Sequence, residues 1–254
     1  MSVPRQGDRP TPSVGLPVDG SEVATAAYAG YVPLSLSARA RFLQGLADVD
    51  RLMEIHTELG GTERGQRVGL EPLNRSAIVL LTAVWEGFVE DEAAQALERL
   101  VAASGSPKDL PPRLRSAVAK EIKEDQHNLA AWKLAGDGWR LYLRSRLPEY
   151  AGTRARGLNT PDSKRVDVLY DTTLGLQGIT EAWRWQRMDP KRAREKLDAL
   201  VRRRGDIAHG GKPEGPATVQ KAEVRRFKEH VLHLVGTTEE RVESFLGEMG
   251  ADRL

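Results

Sequence analysis

The sequence predicts an all-α fold, a helical bundle, on three observations. Apolar residues recur every three to four positions over most of the chain after residue 36. No segment shows the sustained apolar–polar alternation of a half-buried strand. No Asn-Gly or Asp-Gly turn joins two β-branched runs, as a β-hairpin would require.

Composition narrows the class of protein. The chain has 254 residues, 40% hydrophobic and 29% charged, which is typical of a soluble globular protein. It has no cysteine, which excludes a disulfide scaffold, a thiol nucleophile and thiolate-bound metal. The net charge of +2 gives no general basicity that would indicate nucleic acid.

The N-terminal segment differs from the rest of the chain. Residues 1–35 are rich in Pro, Gly and Ser and lack periodicity, so we expect a flexible arm there and a single all-α domain over residues 36–254. The arm has prolines and charges where a signal peptide has an apolar region, and no stretch approaches the ~20 apolar residues of a membrane span. We therefore expect a cytoplasmic protein with no membrane partner.

The first two helices have clear signals. Ser37 is a candidate N-cap for a helix that Gly60 and Gly61 end. A second helix is predicted from near Pro72 to about Ala103. Because apolar residues cover nearly its whole circumference from residue 77 to 89, we expect it to be the central helix.

The middle of the chain is less regular. A polar helix is predicted from about Pro112 to Leu134, followed by a short segment near Trp139 to Leu147. Residues 149–165 are rich in Gly and Thr and predict a loop. Residues 166–185 are ambiguous and are interpreted as short helices broken by glycines.

The C-terminal part again predicts helices. Asp189 and Pro190 form an N-cap and first-turn proline for a helix to about Arg204, with Gly205 marking its end. Two further helices are expected, at roughly 218–235 and 239–247.

Arg204 stands out because it continues an apolar stripe. At 100° per residue, Arg204 shares one helix face with three apolar residues: Ala193, Leu197 and Leu200. An arginine in that place needs a carboxylate, an anion or a partner surface. Arg202 and Arg203 fall off the stripe, and we expect both on a solvated face.

His209 follows Arg204 by five residues. On an unbroken helix the two would lie about 140° apart. If Gly205 loosens the helix, His209 can turn back towards Arg204; the alternative is a histidine that caps the helix C-terminus.

Glu86 lies on the predicted central helix. It is within about 20° of Val79 on the helical wheel, on a helix with little solvent-facing surface. Because a buried glutamate is rarely unpaired, it either holds Arg204 or forms an ordinary salt bridge elsewhere.

These residues sit in segments that resemble a known family. Arg204 to His209, within LDALVRRRGDIAHGG, resembles the R-x4-6-H signature of the HEPN superfamily. The segment AIVLLTAVWEGFVEDEA and the linker NTPDSKRVDVLYDTTLGLQGITEAW are similar to RiboL-PSP-type HEPN proteins, so the likeness spans roughly residues 72–235. Members often place a polar residue directly after the arginine; here Gly205 stands there, and Asp206 follows as a supporting candidate.

The resemblance implies a metal-independent endoribonuclease of toxin or phage-defence type, without a cofactor. Arg204 and His209 would be catalytic, at a site where two copies meet across a two-fold axis. The resemblance also allows an antitoxin or a defence-system partner. The alternative is a catalytically inactive HEPN-like module that binds nucleotide, RNA or a partner protein.

The residue types suit RNA cleavage. Attack by the 2′-OH needs a base, an acid and positive charge at the phosphate. Histidine can serve as base or acid, and arginine supplies the positive charge. Only RNA carries the 2′-OH, so DNA is not expected to react. Because one arginine and one histidine are a sparse set, we predict a homodimer that doubles them.

The remaining candidate residues are expected to have structural roles and no catalytic role. His230 and His233 are three residues apart but have no evident third ligand, so we expect a surface or interface role for them. Three tryptophans, Trp139, Trp183 and Trp185, are expected to pack in the core or a dimer interface and not to stack on bases.

Overall fold

The computed structural model describes residues 36–60, 69–127, 129–152, 160–209 and 218–251. It confirms the all-α prediction, since these residues contain no β-strand, only an isolated bridge between Trp185 and Met188. The α-helices of the described chain are α1 (Ala38–Gly60), α2 (Glu71–Ala103), α3 (Pro112–Glu124), α4 (Gly138–Gly152), α5 (Ser163–Leu174), α6 (Pro190–His209) and α7 (Lys221–Glu248). Short 3-10 helices cover Pro107–Asp109, Ala130–Leu134 and Ile179–Ala182. The arm predicted at residues 1–35 lies outside the described residues, and the single domain over 36–254 stays a prediction.

Side-chain caps fix where several helices begin. The Ser37 hydroxyl accepts from the Ala40 N–H at 3.1 Å, and the Asp189 carboxylate accepts from the Arg192 N–H at 3.0 Å. Each of these bonds satisfies a first-turn donor that has no partner within the helix. The two predicted N-caps are therefore confirmed.

Outside α6, three predicted boundaries were wrong. The polar helix ends at Glu124, because Asp125 turns to extended backbone and its carboxylate accepts from the His127 N–H at 2.9 Å. The two C-terminal helices are one continuous helix, α7, whose backbone passes through Gly236 without a break. The predicted loop over 149–165 is too long, since α4 reaches Gly152 and α5 begins at Ser163.

Helix α2 is central, as predicted: it packs against α1, α4, α5, α6 and α7. Its inner face is mostly apolar, with Ile78, Leu81 and Trp85 all at 0% exposure. On the α1 side, a Cβ on Gly45 would lie 2.6 Å from Val84 Cγ2. The missing side chain at Gly45 therefore allows α1 to approach α2 closely.

The core is built around Trp85. Its ring packs edge-on against Trp183 and stacks on Phe88, each with centroids 5.9 Å apart. Both indoles are satisfied: Trp85 donates to the Pro161 carbonyl at 3.1 Å, and Trp183 donates to the Thr238 hydroxyl at 2.9 Å. These bonds tie α2 to the start of α5, and the segment before α6 to α7.

The three tryptophans singled out from the sequence lie in different places. Trp183 belongs to this core, and Trp139 is 5% exposed beneath the Arg140 guanidinium, 4.3 Å from its ring centroid. Trp185 stacks on His233 with centroids 4.9 Å apart. Packing inside the protein accounts for all three.

Within the described residues, none of the helices combines the length and the apolar character needed to cross a membrane.

Candidate functional site

The C-terminal end of α6 carries the motif residues. The helix does not end at Gly205 but runs unbroken to His209, which corrects the predicted boundary. Gly205 has no positive φ, and one glycine inside a helix costs only about 1 kcal/mol, which packing outweighs. The backbone positions of Arg204 and His209 therefore lie about 140° apart around the helix axis.

His209 is the last residue of α6. Its side chain lies outside the part of the chain that the structure describes. The structure thus places the backbone of His209 at the helix terminus, about 1.4 turns beyond Arg204.

The apolar stripe behaves as the sequence predicts. Ala193, Leu197 and Leu200 are all 0% exposed, and Arg204 is half-buried at the end of the stripe. Among the described residues, no hydrogen bond or ion pair engages the Arg204 guanidinium. A cation therefore stands at the edge of the core without a direct anionic partner from this part of the chain.

Arg203 was predicted on a solvated face, and that prediction was wrong. It is 7% exposed, and its Nε donates to the Glu223 carboxylate at 3.0 Å. The first turn of α7 covers this side of α6, which the periodicity of α6 alone does not reveal. Arg202 is exposed, as predicted.

Glu86 lies close enough to Arg204 for their charges to interact. Burial, together with the neighbouring Glu90 carboxylate, raises the pKa of Glu86 to about 7, and the Arg204 guanidinium opposes that rise. No ion pair joins Glu86 to another residue in the described ranges. The sequence left two alternatives for Glu86: a contact with Arg204 or a salt bridge with another residue. A salt bridge with another residue is not seen among the described residues. The charge of Arg204 acts on Glu86, but the two side chains make no direct contact.

Asp206 is half-buried but is not brought to Arg204. Two residues along a helix rotate the chain by about 200°, which places the two backbone positions on opposite sides of α6. Any support from Asp206 would have to act from that other side.

A groove adjoins the motif and was missed by sequence reasoning. It has a volume of about 470 Å³ and lies between α2 and Ile207 of α6. Its lining comprises Pro72, Arg75, Ser76, Val79, Leu80, Ala83 and Ile207. The Arg75 guanidinium donates to the Ile207 carbonyl at 3.4 Å, next to the helix C-terminus. The sequence did contain a signal for this groove: Arg75 lies one turn before Val79, on the α2 face that also carries Glu86.

His230 is not at the surface, which corrects the role predicted for it. It is 1% exposed, with Nε2 3.0 Å from the Ala193 carbonyl, and its ring lies 5.4 Å from that of Trp185. Burial, with smaller effects of Lys196 and His233, lowers the pKa of His230 to about 4. The neutral ring therefore donates from Nε2.

Within the described ranges, His, Asp and Glu side chains form no group of three that could hold a metal ion.

Comparison with known proteins identifies the family. The family model RiboL-PSP-HEPN matches residues 48–244, a range that includes Glu86, Arg204 and His209. Searches of curated proteins and of solved structures gave no match. The match covers most of the chain and confirms the resemblance carried by the motif, so the chain belongs to the RiboL-PSP-HEPN family.

Proposed function

We propose that this protein is a metal-independent endoribonuclease whose site contains Arg204 and His209. The family supports this, since HEPN domains often act as ribonucleases. The observation that carries the proposal is the half-buried Arg204 at the end of the apolar stripe, which no carboxylate of the described chain pairs directly. A guanidinium in that position is suited to bind a phosphate, because its planar fork matches two phosphate oxygens.

The proposed reaction is transesterification within the RNA. The 2′-oxygen attacks the adjacent phosphorus, its proton passes to a base, and the bond to the 5′-oxygen breaks as an acid protonates that oxygen. The products are a 2′,3′-cyclic phosphate and a 5′-hydroxyl. His209 acts as base or acid near neutral pH, and Arg204 stabilises the negative charge on the phosphate oxygens.

Glu86 is a positioning residue in this scheme. Its charge acts on Arg204 from α2 without direct contact. Asp206 is the remaining supporting candidate, from the other side of α6.

The site is shared between two copies of the chain. One copy supplies a single histidine, whereas the reaction needs both a base and an acid. Within one copy, moreover, the unbroken α6 separates the backbone positions of Arg204 and His209 by about 140°. A two-fold axis at this end of α6 would provide a second histidine and a second arginine.

In the cell, the proposed role is that of a toxin-like or phage-defence effector in the cytoplasm, held in check by an antitoxin or a defence-system partner. Expression of the wild type in a bacterial host is expected to arrest growth, and His209→Ala is expected to relieve the arrest. Equal toxicity of the two proteins would remove the link between this site and the cellular effect.

A catalytically inactive module that binds nucleotide, RNA or a partner protein is the second candidate. The same 140° separation favours it, because the backbone of a single copy places the two residues on different sides of α6. The two candidates differ in outcome: a binding module retains RNA through Arg204 but leaves it intact.

The chemistry is tested with purified protein and a labelled single-stranded RNA in the presence of EDTA. We expect cleavage with 2′,3′-cyclic phosphate ends and no cleavage of the matching DNA. A requirement for Mg²⁺, or products with 3′-hydroxyl ends, would overturn the mechanism.

A further inference from the structure

A tight turn just before α6 carries an arginine in an unfavourable backbone conformation. The Trp185 N–H donates to the Met188 carbonyl at 3.2 Å, and the Met188 N–H donates to the Trp185 carbonyl at 2.9 Å. Gln186 and Arg187 are therefore the two central residues of the turn. Arg187 has a φ of 62°, and no other non-glycine residue in the described ranges has a positive φ. Because glycine or asparagine is favoured in that place, the turn accommodates Arg187 with strain, which points to a role for its side chain.

Contacts with two helices hold the turn in place. The Trp185 ring stacks on His233 of α7, and the guanidinium of Arg192 on α6 donates to the Arg187 carbonyl at 3.2 Å. These contacts use the Arg187 backbone and leave its side chain exposed. Arg184, at the other end of the turn, is exposed as well, and no hydrogen bond or ion pair with a described residue engages either side chain. The turn therefore holds two guanidinium groups in a fixed place at the surface.

The turn lies at one end of a seam between α6 and α7. The two helices are antiparallel here, since Ala193 meets His230 and Arg203 meets Glu223. Lys196 lies on α6 between these two contacts, and its charge acts on the nearby His230 ring. The seam therefore runs from the turn towards the motif end of α6.

Further cations continue along this seam. Arg226 and Glu229 of α7 lie close enough to Lys196 for their charges to act on it. The cations of the turn and the seam are Arg184, Arg187, Arg192, Lys196 and Arg226, and we call these residues the cationic track. Within the described chain, no ion pair includes a member of the track.

The acidic groups beside the cationic track offset only part of its charge. Asp189 accepts from the Arg192 N–H as the N-cap of α6, and Glu195 and Glu229 are exposed. Five cations against these three carboxylates leave an elongated surface with a positive charge. Such a surface, rich in guanidinium groups, attracts phosphate backbones.

The cationic track leads towards the proposed site. Arg192 precedes Arg204 by twelve residues and Lys196 precedes it by eight, which corresponds to about 18 Å and about 12 Å along the axis of α6. Lys196 and Arg204 lie about 80° apart around that axis, on adjacent sides of the helix. A polyanion that follows α6 therefore meets the track and then Arg204.

We propose that single-stranded RNA binds the cationic track through its phosphates and extends from there to Arg204. The naming of RNA rests on the proposed function, whereas the surface rests on the fixed turn and the charges of the seam. Phosphate contacts position a strand without reading its bases, so the track holds RNA of any sequence. Its role is to bind the substrate, and it takes no part in the chemical step.

Direct binding tests the track without cleavage. The probe is a fluorescent oligouridylate of about 12 nucleotides, bound to the full chain carrying His209→Ala and followed by anisotropy. Adding Arg184→Gln, Arg187→Gln and Arg226→Gln together removes three charges and breaks no side-chain bond among the described residues. We expect Kd at about 0.1 M salt to rise at least ~10-fold, and the slope of log Kd against log salt concentration to fall by about 2.

The matched control removes three exposed cations from another helix. Arg115→Gln, Lys120→Gln and Lys123→Gln lie on α3 and change the net charge equally. This control should bind the RNA as the parent protein does. Equal weakening in both triple variants would show that only net charge matters, and it would overturn the track.

A single substitution keeps the test valid if the triple variant fails to fold. Arg187→Gly removes one charge and suits the positive φ, so the melting temperature should stay or rise while Kd rises about 3-fold or more. Arg187→Lys keeps the charge and should bind as the parent does. A Kd unchanged by Arg187→Gly would overturn the proposal. Tighter binding of a polyglutamate peptide than of the RNA would assign the surface to an acidic protein and overturn it as well.

Failure of the track is separable from failure of the proposed function, because binding is measured without cleavage. Where the protein cleaves RNA, the triple track variant should raise KM for the long RNA, leave kcat unchanged and cleave a dinucleotide at the wild-type rate. An unchanged KM would overturn the track alone. Track-dependent binding by a protein that leaves RNA intact would overturn the ribonuclease alone.

Discussion

The inner and outer faces of α2 carry similar apolar side chains but differ in what covers them. Ile78, Leu81 and Trp85 on the inner face are fully buried by the surrounding helices, whereas Leu80 on the outer face is only half-buried and Ala83 is exposed. Apolar residues on both sides of one helix therefore serve two purposes. The inner face holds the bundle together, and the outer face lies beside Arg204 and Ile207, where binding is proposed.

The largest expected effect is on the inner face. Trp85→Ala should lower the free energy of unfolding by about 3–5 kcal/mol, because it leaves a cavity and removes the bond to the Pro161 carbonyl. Leu80→Ala on the outer face is the control, and it should lower the free energy of unfolding by well under half of the loss expected for Trp85→Ala. Urea denaturation measures both, and equal losses would contradict the distinction between the two faces.

The next effect concerns pH and the buried His230. Its folded-state pKa of about 4 lies below the ordinary value of 6.5, so the unfolded chain binds the extra proton first. Stability should therefore be full above pH 6.5 and fall as the pH drops towards 4, by roughly 3 kcal/mol in all. His230→Gln should flatten this slope in pH-dependent melting, while His233→Gln, at an exposed position, should leave it in place.

A smaller loss is expected where α7 meets the motif end of α6. Arg203→Ala should lower the free energy of unfolding by roughly 2 kcal/mol, because it leaves the Glu223 carboxylate without its Arg203 partner. The loss is smaller than for a fully buried ion pair, because the Glu223 side chain is 19% exposed to water. The exposed neighbour Arg202→Ala should change stability by less than about 0.5 kcal/mol. If the two substitutions lower the free energy of unfolding equally, the Arg203–Glu223 ion pair does not stabilise the C-terminal end of α6.

The smallest effect is a gain. Gly205→Ala should raise the free energy of unfolding by up to about 1 kcal/mol, because Gly205 lies within α6, has no positive φ and would place its new methyl group in open space. Thermal melting measures the change. A loss of stability would indicate that α6 bends or opens at this glycine.

The fold was predictable because its signals are local. The N-caps at Ser37 and Asp189 and the apolar circumference of α2 each lie within one segment of sequence. They set the helix starts and the central helix correctly. Periodicity also placed Ala193 and Leu197 in the core and Arg204 at the edge of it.

The site was less predictable because it depends on contacts between distant segments. Arg203 is buried only because the start of α7 covers it, and the continuation of α6 through Gly205 is supported where Arg75 meets the Ile207 carbonyl. The residues of that last contact are 132 positions apart in the sequence. Nothing in the pattern of either helix indicates which residues of the other helix it meets.

The most direct test of the account compares Arg204→Ala with Arg202→Ala in one RNA cleavage assay with EDTA, with thermal melting of both proteins. The account predicts that Arg204→Ala loses at least ~100-fold in cleavage rate, as expected when a charge-stabilising donor is removed, and keeps the wild-type melting temperature. Arg202→Ala should cleave RNA at the wild-type rate. Retained cleavage by a folded Arg204→Ala protein would contradict the assignment, and so would an equal loss in both variants.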